Sequence, residues 1–172
     1  MKVKHNLICF LFTSFLFGCG EEQYQMAASR RGPAPCTFKS SVSGSVDPDL
    51  YSTVMDFFRD AKAHRADYCP RLNGITMVDT VADMGYEPGS LVIGVCKWPR
   101  QINILRPYWY QASPTLRAAL IYHELGHCLL NLDHSSPENI NIMAPVILSE
   151  EILEDHWSAL VDKLFARNYE SL

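Results

Sequence analysis

Long apolar runs and blocks of positive charge are both scarce in this chain of 172 residues. The longest apolar run, LICFLFTSFLFG, lies near the N-terminus and falls short of the roughly 20 residues that a membrane-spanning helix needs. Lysine and arginine together number 15 against 19 acidic residues, and Arg30-Arg31 is the only basic pair. This charge balance argues against nucleic acid as a partner.

Close pairs of cysteines are missing as well. The six cysteines include no C-x-x-C pair of the kind that builds a structural zinc site. Four of the cysteines lie beyond residue 35. In an oxidising compartment this even number predicts two disulfides, and sequence alone allows three ways of pairing them. We favour Cys36–Cys69 and Cys96–Cys128, because each pair joins one predicted element to its near neighbour.

The N-terminus predicts export and attachment to a membrane by lipid. Two lysines precede the apolar run, which ends in Leu16-Phe17-Gly18-Cys19 and resembles a bacterial lipobox. We therefore expect a lipoprotein signal peptide at 1–18, lipidation of Cys19 and a lipidated tether over 19–35. These features predict a lipid-anchored protein of the bacterial cell envelope, on the outer membrane or cell surface. An ordinary cleaved signal peptide is the alternative, and it predicts export too.

Residues 36–172 are predicted to form one α+β domain. Capping residues followed by apolar stripes of helical spacing predict three helices, over about 48–65, 114–130 and 150–168. Between the first two helices, turn-forming residues bound three strand-like runs, at Ile75–Thr80, Leu91–Trp98 and Ile102–Leu105. The expected architecture is one small mixed sheet with the helices packed mainly on one side.

The stretch HELGHCLLNLDHS, residues 123–135, holds the strongest chemical pattern in the chain. His123 and His127 are four residues apart in a predicted helix, so both imidazoles project from one face and can share a cation. Neutral imidazoles are ligands that suit Zn²⁺. Glu124 points to the side of such a metal, where a carboxylate can accept a proton from metal-activated water.

A catalytic zinc needs a third protein ligand, so the helix must end and let the chain turn back. Asn131 suits that end, because asparagine is second only to glycine in tolerating the left-handed conformation. His134 follows three residues later and is the favoured third ligand. The sequence therefore predicts a metal site that is closed by a turn of the chain just beyond the helix.

This stretch resembles the metzincin clan of zinc metallopeptidases, whose pattern is H-E-x-x-H-x-x-G-x-x-H with a Met-turn downstream. HELGH…LDHS is similar to the matrix metalloproteinase branch, and Asn-Ile-Met143-Ala-Pro stands where that branch has its Met-turn. The chain departs from the pattern in two ways: Asn131 replaces the glycine, and one extra residue precedes it. A strict count from His123 would make Asp133 the third ligand, whereas the count from Asn131 favours His134.

The resemblance implies a zincin-like fold with an N-terminal helix, an active-site helix and a C-terminal helix after the Met-turn. It implies zinc bound by His123, His127 and His134, with Glu124 as the general base. Met143 would form an apolar floor beneath the metal without binding it.

The resemblance also implies how substrate would bind. In the clan, an antiparallel edge strand lies along the cleft and binds an extended substrate by strand addition. Leu91–Trp98 is the candidate here, and an ordinary core strand holding Cys96 in a disulfide is an equally weighted alternative. Segment 144–149 would line the pocket for the residue after the scissile bond, and its apolar side chains favour an apolar residue there.

We therefore expect an exported zinc-dependent endopeptidase that hydrolyses a peptide or protein substrate through a metal-activated water. The alternative is a catalytically inactive zinc-binding envelope lipoprotein with a binding or assembly role, which the missing glycine and the inserted residue permit. An intact Glu124 favours the enzyme, since a structural metal site has no use for a base. Glu151 and Asp155 resemble the third-ligand helix of the thermolysin-like branch, but acids at a helix N-terminus explain them equally well.

Overall fold

The computed structural model describes residues 36–66 and 69–166. The predicted signal peptide at 1–18, the lipidation site Cys19 and the tether over 19–35 lie outside the described residues, as does the end of the predicted third helix beyond residue 166. In the part of the chain that is described, no helix has both the length and the apolar character needed to cross a membrane.

The described residues contain five α-helices and one 3-10 turn. Their bounds are Phe38–Ser41 (α1), Pro48–Leu50 (the 3-10 turn), Tyr51–Ala63 (α2), Arg106–Gln111 (α3), Pro114–Leu130 (α4) and Glu150–Ala166 (α5). The three long helices are the predicted ones. Ser113 caps α4 by accepting a hydrogen bond from Leu116 N–H. Helix α2 has no side-chain cap of its own and continues the 3-10 turn, whose start is capped by Asp47 accepting from Asp49 N–H.

One mixed sheet contains three strands, at Gly74–Val78 (β1), Gly94–Lys97 (β2) and Gln101–Leu105 (β3). Strand β3 lies in the middle, parallel to β1 and antiparallel to β2. A tight turn joins β2 to β3, and within it the Arg100 N–H donates to the carbonyl of Lys97. The arrangement confirms the predicted α+β class and leaves β2 at an edge of the sheet.

Two of the strands are shorter than predicted, and local contacts explain why. Thr80 lies beyond β1, where its N–H and hydroxyl both donate to the Asp83 carboxylate and start a turn. Leu91, the predicted start of the second strand, is 98% exposed and precedes β2. Helix α3 was not predicted, because it follows β3 directly with no turn residue between them.

Helix α4 packs on the sheet and also on the other two long helices. The predicted apolar stripe of α2 is buried, and the Phe57 ring packs against Tyr122 of α4 and Phe165 of α5, with centroids 5.3 Å apart in both pairs. The Tyr122 hydroxyl donates to Asp60 at 2.6 Å, which satisfies a polar group that this cluster buries. Burial of a side chain such as Phe57 contributes about 2 kcal/mol, so the cluster holds α4 in place.

Both predicted disulfides are present. Cys36–Cys69 joins the start of the described chain to the segment before β1, with Cα atoms 5.4 Å apart. Cys96–Cys128 joins β2 to α4, with Cα atoms 5.6 Å apart. The second disulfide links the sheet covalently to the helix that carries the HELGH motif.

Candidate metal centre

Asn131 ends helix α4 in the left-handed conformation that the sequence predicted for it. Its backbone angles are φ 54° and ψ 38°, and its N–H and that of Leu132 both donate to the carbonyl of Gly126. Asparagine adopts this conformation more readily than most residues that carry a Cβ atom. The chain turns back at this point, and the His134 ring lies next to the rings of the two helix histidines.

The three histidine side chains converge. The Nε2 atom of His123 lies 3.1 Å from that of His127 and 3.2 Å from that of His134. Nitrogen ligands about 2.0 Å from a tetrahedral zinc ion are separated from one another by about 3.3 Å. The spacing of these nitrogens is therefore close to what a small tetrahedral cation requires, and all three ligand atoms lie within 4.8 Å of one another.

Two backbone carbonyls orient the helix imidazoles. Nδ1 of His123 donates to the carbonyl of Ile142 at 2.7 Å, and Nδ1 of His127 donates to the carbonyl of Leu132 at 2.6 Å. A carbonyl only accepts, so the proton of each neutral ring resides on Nδ1 and the Nε2 lone pair faces its neighbours. Lone pairs held this close repel one another unless a cation lies between them. The donor set therefore fits a metal ion.

Burial keeps the helix histidines neutral, as metal ligands must be. His123 is 8% exposed, and burial lowers the pKa of its imidazole to about 4, against the opposing effect of the Ile142 carbonyl. Burial also lowers the pKa of His127, while its bond to Leu132 and the charge of Asp133 act in the opposite direction. Neutral imidazoles bind a metal without first having to release a proton.

His134, rather than Asp133, completes the group. Asp133 and His134 are both exposed, but only His134 is among the three residues whose ligand atoms converge. No other set of three His, Cys, Asp or Glu side chains converges in this way within residues 36–66 and 69–166. Glu151 and Asp155 are exposed on α5 and form no part of the group, so the thermolysin-like alternative gains no support.

Glu124 is buried close to the histidines. It is 4% exposed, and burial raises the pKa of its carboxyl group to about 8, opposed by the nearby Cys96 backbone N–H. Its Oε2 atom has no hydrogen-bond partner. A buried polar atom without a partner lowers stability by about 1–3 kcal/mol. This atom therefore fits a role toward a ligand or substrate better than a role in the fold.

Met143 is buried against helix α4. Its sulfur and methyl group contact Gly126, where a Cβ atom would overlap them. The Asn141 side chain accepts the Met143 N–H at 2.7 Å, and the Met143 carbonyl accepts the Ser135 N–H at 2.8 Å. These bonds shape the turn that presents the Ile142 carbonyl to the first histidine. Met143 itself packs against the part of α4 that lies between the two helix histidines.

A cleft of about 790 Å³ runs past the histidines and Glu124. One wall is the edge strand β2 with the residues before it, and another is segment 144–148, which follows the Met143 turn. Apolar and aromatic side chains line the cleft between these walls, namely Tyr86, Tyr108, Leu116 and Leu120. Strand β2 and segment 144–148, which were predicted to bind substrate, thus border the same cleft as the histidines.

The sequence interpretation gave several residues of this cleft no role of their own, among them Gly94 and Tyr108. A Cβ atom added to Gly94 would lie 2.7 Å from Glu124 Oε1 and 2.8 Å from the Leu120 side chain, so a glycine is needed for β2 to approach α4 this closely. A glycine within a strand pattern often marks such an approach, and this indication was available in the sequence. Tyr108 gave no comparable indication, because the helix that carries it was not predicted.

No family model, no curated protein and no solved structure matches this chain. The assignment of the metal centre therefore rests on the positions of its own residues. The described residues form a small mixed α+β fold in which a group of three histidines can hold a metal ion, next to a buried carboxyl group and a cleft.

Proposed function

We propose that this chain is an exported, metzincin-like, zinc-dependent endopeptidase. The observation that carries the proposal is the buried Glu124 carboxyl group beside three converging imidazoles, in a cleft that an edge strand borders. Structural zinc sites are closed by four protein ligands, whereas catalytic sites use three and keep one position open. Three ligands that line an open cleft favour the catalytic kind.

His123, His127 and His134 would hold the zinc ion. Three neutral imidazoles are a known donor set for catalytic zinc. The bound ion would act as a Lewis acid on the scissile carbonyl and would lower the pKa of a coordinated water. The carbonyls of Ile142 and Leu132 hold two of the rings in orientation, with Nε2 of each ring directed toward the metal position.

Glu124 would serve as the general base and then as the general acid. Burial holds the pKa of its carboxyl group at about 8, and the charge of a bound cation would lower that pKa toward neutrality. A pKa close to the working pH suits a group that both takes and gives a proton. Oε2, which has no partner, would accept the proton of the attacking water and deliver it to the leaving amine.

The edge strand β2 would bind the substrate in an extended conformation. Hydrogen-bonded pairs alternate with non-bonded pairs in an antiparallel ladder. Leu105 donates to the carbonyl of Ile93, so Gly94, one residue later, turns its backbone groups away from β3. A peptide added along this side of β2 would lie beside Glu124 and the histidines, with apolar pocket residues available to its side chains.

Export and lipid attachment belong to the same proposal. The apolar run that ends at Cys19 supports processing after residue 18, lipidation of Cys19 and anchoring in the bacterial cell envelope. The two disulfides support an oxidising location, because disulfides are rare in a reducing cytoplasm. The substrate would then be a peptide or protein that reaches the envelope.

The zinc-loaded full chain should cleave members of a mixed peptide library, with the products identified by mass spectrometry. Glu124→Gln should bind zinc as the wild type does but lose at least about 100-fold in kcat, which is the scale of general acid–base catalysis. Glu151→Gln is the matched control, because it makes the same change at an exposed acid on α5 and should retain wild-type activity.

Equal cleavage by the wild type and Glu124→Gln would contradict the role given to Glu124. A chain that binds one zinc ion and cleaves nothing in any form would contradict the peptidase proposal. That second result would favour the alternative, a catalytically inactive zinc-binding lipoprotein with a binding or assembly role.

A further inference from the structure

The Cys96–Cys128 disulfide lies where the cleft meets the histidine helix. Cys128 is fully buried and follows His127 directly in α4, while Cys96 lies in β2 and lines the cleft. The other disulfide, Cys36–Cys69, joins two segments that do not line the cleft. The two disulfides close loops of nearly equal length, with sequence separations of 33 and 32 residues. The main difference between them is therefore their position relative to the cleft.

The backbone of Cys96 faces Glu124. Like Gly94, Cys96 occupies a position of β2 whose N–H and carbonyl point away from β3. Its N–H lies near the Glu124 carboxyl group and opposes the effect of burial on the pKa of that group. The edge strand therefore brings its backbone close to the group that we propose as the general base.

Gly94 brings the same strand against the rest of the Glu124 side chain. A Cβ atom at Gly94 would lie 2.7 Å from Glu124 Oε1 and 3.0 Å from Glu124 Cγ. The strand thus lies directly on the carboxylate and limits the positions that it can take. A movement of β2 away from α4 would release Glu124 from both contacts.

Strand β2 is weakly held by the sheet alone. It has four residues, all of them partly exposed, and it pairs only with β3 among the described strands. Short edge strands open readily when only ladder hydrogen bonds hold them. Besides its packing on α4, the hairpin is joined to that helix by the disulfide and by a hydrogen bond from the Arg100 guanidinium to the carbonyl of Cys128. Only the disulfide is covalent.

We propose that Cys96 and Cys128 are positioning residues, whose disulfide holds strand β2 against Glu124 and so fixes the carboxylate beside the histidines. The inference rests on the proposed function, because it takes Glu124 as the general base. The disulfide touches no reacting atom and acts through the distance between β2 and α4. A misplacement of about 1 Å in a catalytic group is enough to lower a rate about 100-fold.

The test compares two variants of the zinc-loaded full chain, Cys96→Ala/Cys128→Ala and Cys36→Ala/Cys69→Ala. The first should lose at least about tenfold in kcat, with KM within about twofold of wild type and zinc still bound. Hydrogen exchange at the amides of Val95 and Lys97, which face β3, should be at least about tenfold faster in this variant. The second variant removes a comparable restraint elsewhere and should keep both the wild-type kcat and the wild-type exchange at these two amides.

Gly94→Ala tests the same contact with both disulfides intact. The added methyl group would displace Glu124, so kcat should fall while zinc stays bound. The proposal is overturned if the two disulfide variants keep the wild-type kcat or lose it equally. It is also overturned if the loss lies in KM alone, as expected of a strand that only binds substrate.

A wild-type chain that cleaves no peptide contradicts the proposed function instead. The exchange rates at Val95 and Lys97 then decide separately whether the Cys96–Cys128 disulfide holds β2 on α4. Faster exchange in that variant alone supports the positioning of the strand, and unchanged exchange overturns it.

Discussion

The carboxyl group of Glu124 is almost completely buried. This burial makes the free energy of unfolding of the metal-free protein depend on pH. The pKa of this carboxyl group is about 8 in the folded chain, whereas a glutamate in the unfolded chain has a pKa of 4.5. The contribution of such a group to the free energy of unfolding is fully present at a pH below its pKa in the unfolded chain. It is lost as the pH rises through its pKa in the folded chain. Metal-free wild type should therefore lose about 3 kcal/mol relative to Glu124→Gln between pH 5 and pH 8.

Urea unfolding of the metal-free full chain across this pH range measures the difference. Glu124→Gln lacks the contribution, because an amide does not titrate. The exposed Glu151→Gln variant should follow the wild type at every pH. A difference between wild type and Glu124→Gln that stays constant from pH 5 to pH 8 would contradict the burial of this carboxyl group.

Single residues of the site differ in how far the sequence alone could identify them. The spacing of His123, Glu124 and His127 within one helix is enough to group them, because helical geometry relates neighbouring turns directly. The choice between Asp133 and His134 depends on the path of the chain after the helix. That path is set by the turn beyond α4, and only the structure shows which side chain it brings to the other two.

Helix α4 must end where the chain can bring the third histidine back, and Asn131 forms that end. At a φ of 54° a β-branched side chain is strained by about 1–2 kcal/mol, whereas glycine is not. Asn131→Val should lower the unfolding free energy by about that amount and weaken zinc binding, because His134 is displaced. Asn131→Gly should preserve both properties.

Urea unfolding and competition for zinc with a chromophoric chelator measure these two quantities on the full chain. Asn131→Gly is the matched control, and it also places a glycine where the metzincin pattern has one. If the valine and glycine variants bind zinc with equal affinity, the end of α4 does not control the position of His134.

The elements themselves were predictable where local signals define them. Capping residues and apolar spacing located the three long helices, because both act over a few residues. The pairing of β1 with β3 is a contact between distant parts of the chain, and nothing within either strand specifies it. Helix α3 has a proline in its first turn but no capping side chain, so the local signals that locate the long helices do not mark it.

The Cys36–Cys69 disulfide restrains the whole molecule from a position outside the cleft. It joins residues 33 apart, and closing a loop of that size contributes about 3 kcal/mol by restricting the unfolded chain. Cys36→Ala/Cys69→Ala should therefore unfold at a lower urea concentration while retaining the zinc affinity of the wild type. An unchanged urea midpoint would contradict this contribution, and a loss of zinc would contradict the separation of this disulfide from the site.

At the scale of the molecule, the order of helices and strands was enough to predict the α+β class, and the even number of cysteines was enough to predict two disulfides. The pairing itself required the further expectation that each disulfide joins neighbouring elements. The cleft was not predictable in the same way from the residues alone. Its walls are β2 with the residues before it and segment 144–148, and they meet only through the packing of both on α4. The lipid anchor at Cys19 stays a prediction, since that residue lies outside the described part of the chain.

The central claim is that one zinc ion, held by His123, His127 and His134, makes this chain a peptidase. The most direct measurement is a titration of zinc into the metal-free full chain, with bound zinc and peptide cleavage followed in the same sample. Cleavage should rise in proportion to bound zinc, level off at one ion per chain, persist in Asp133→Ala and vanish in His134→Ala. Cleavage by the metal-free chain, or zinc-dependent cleavage that survives His134→Ala, would contradict the claim.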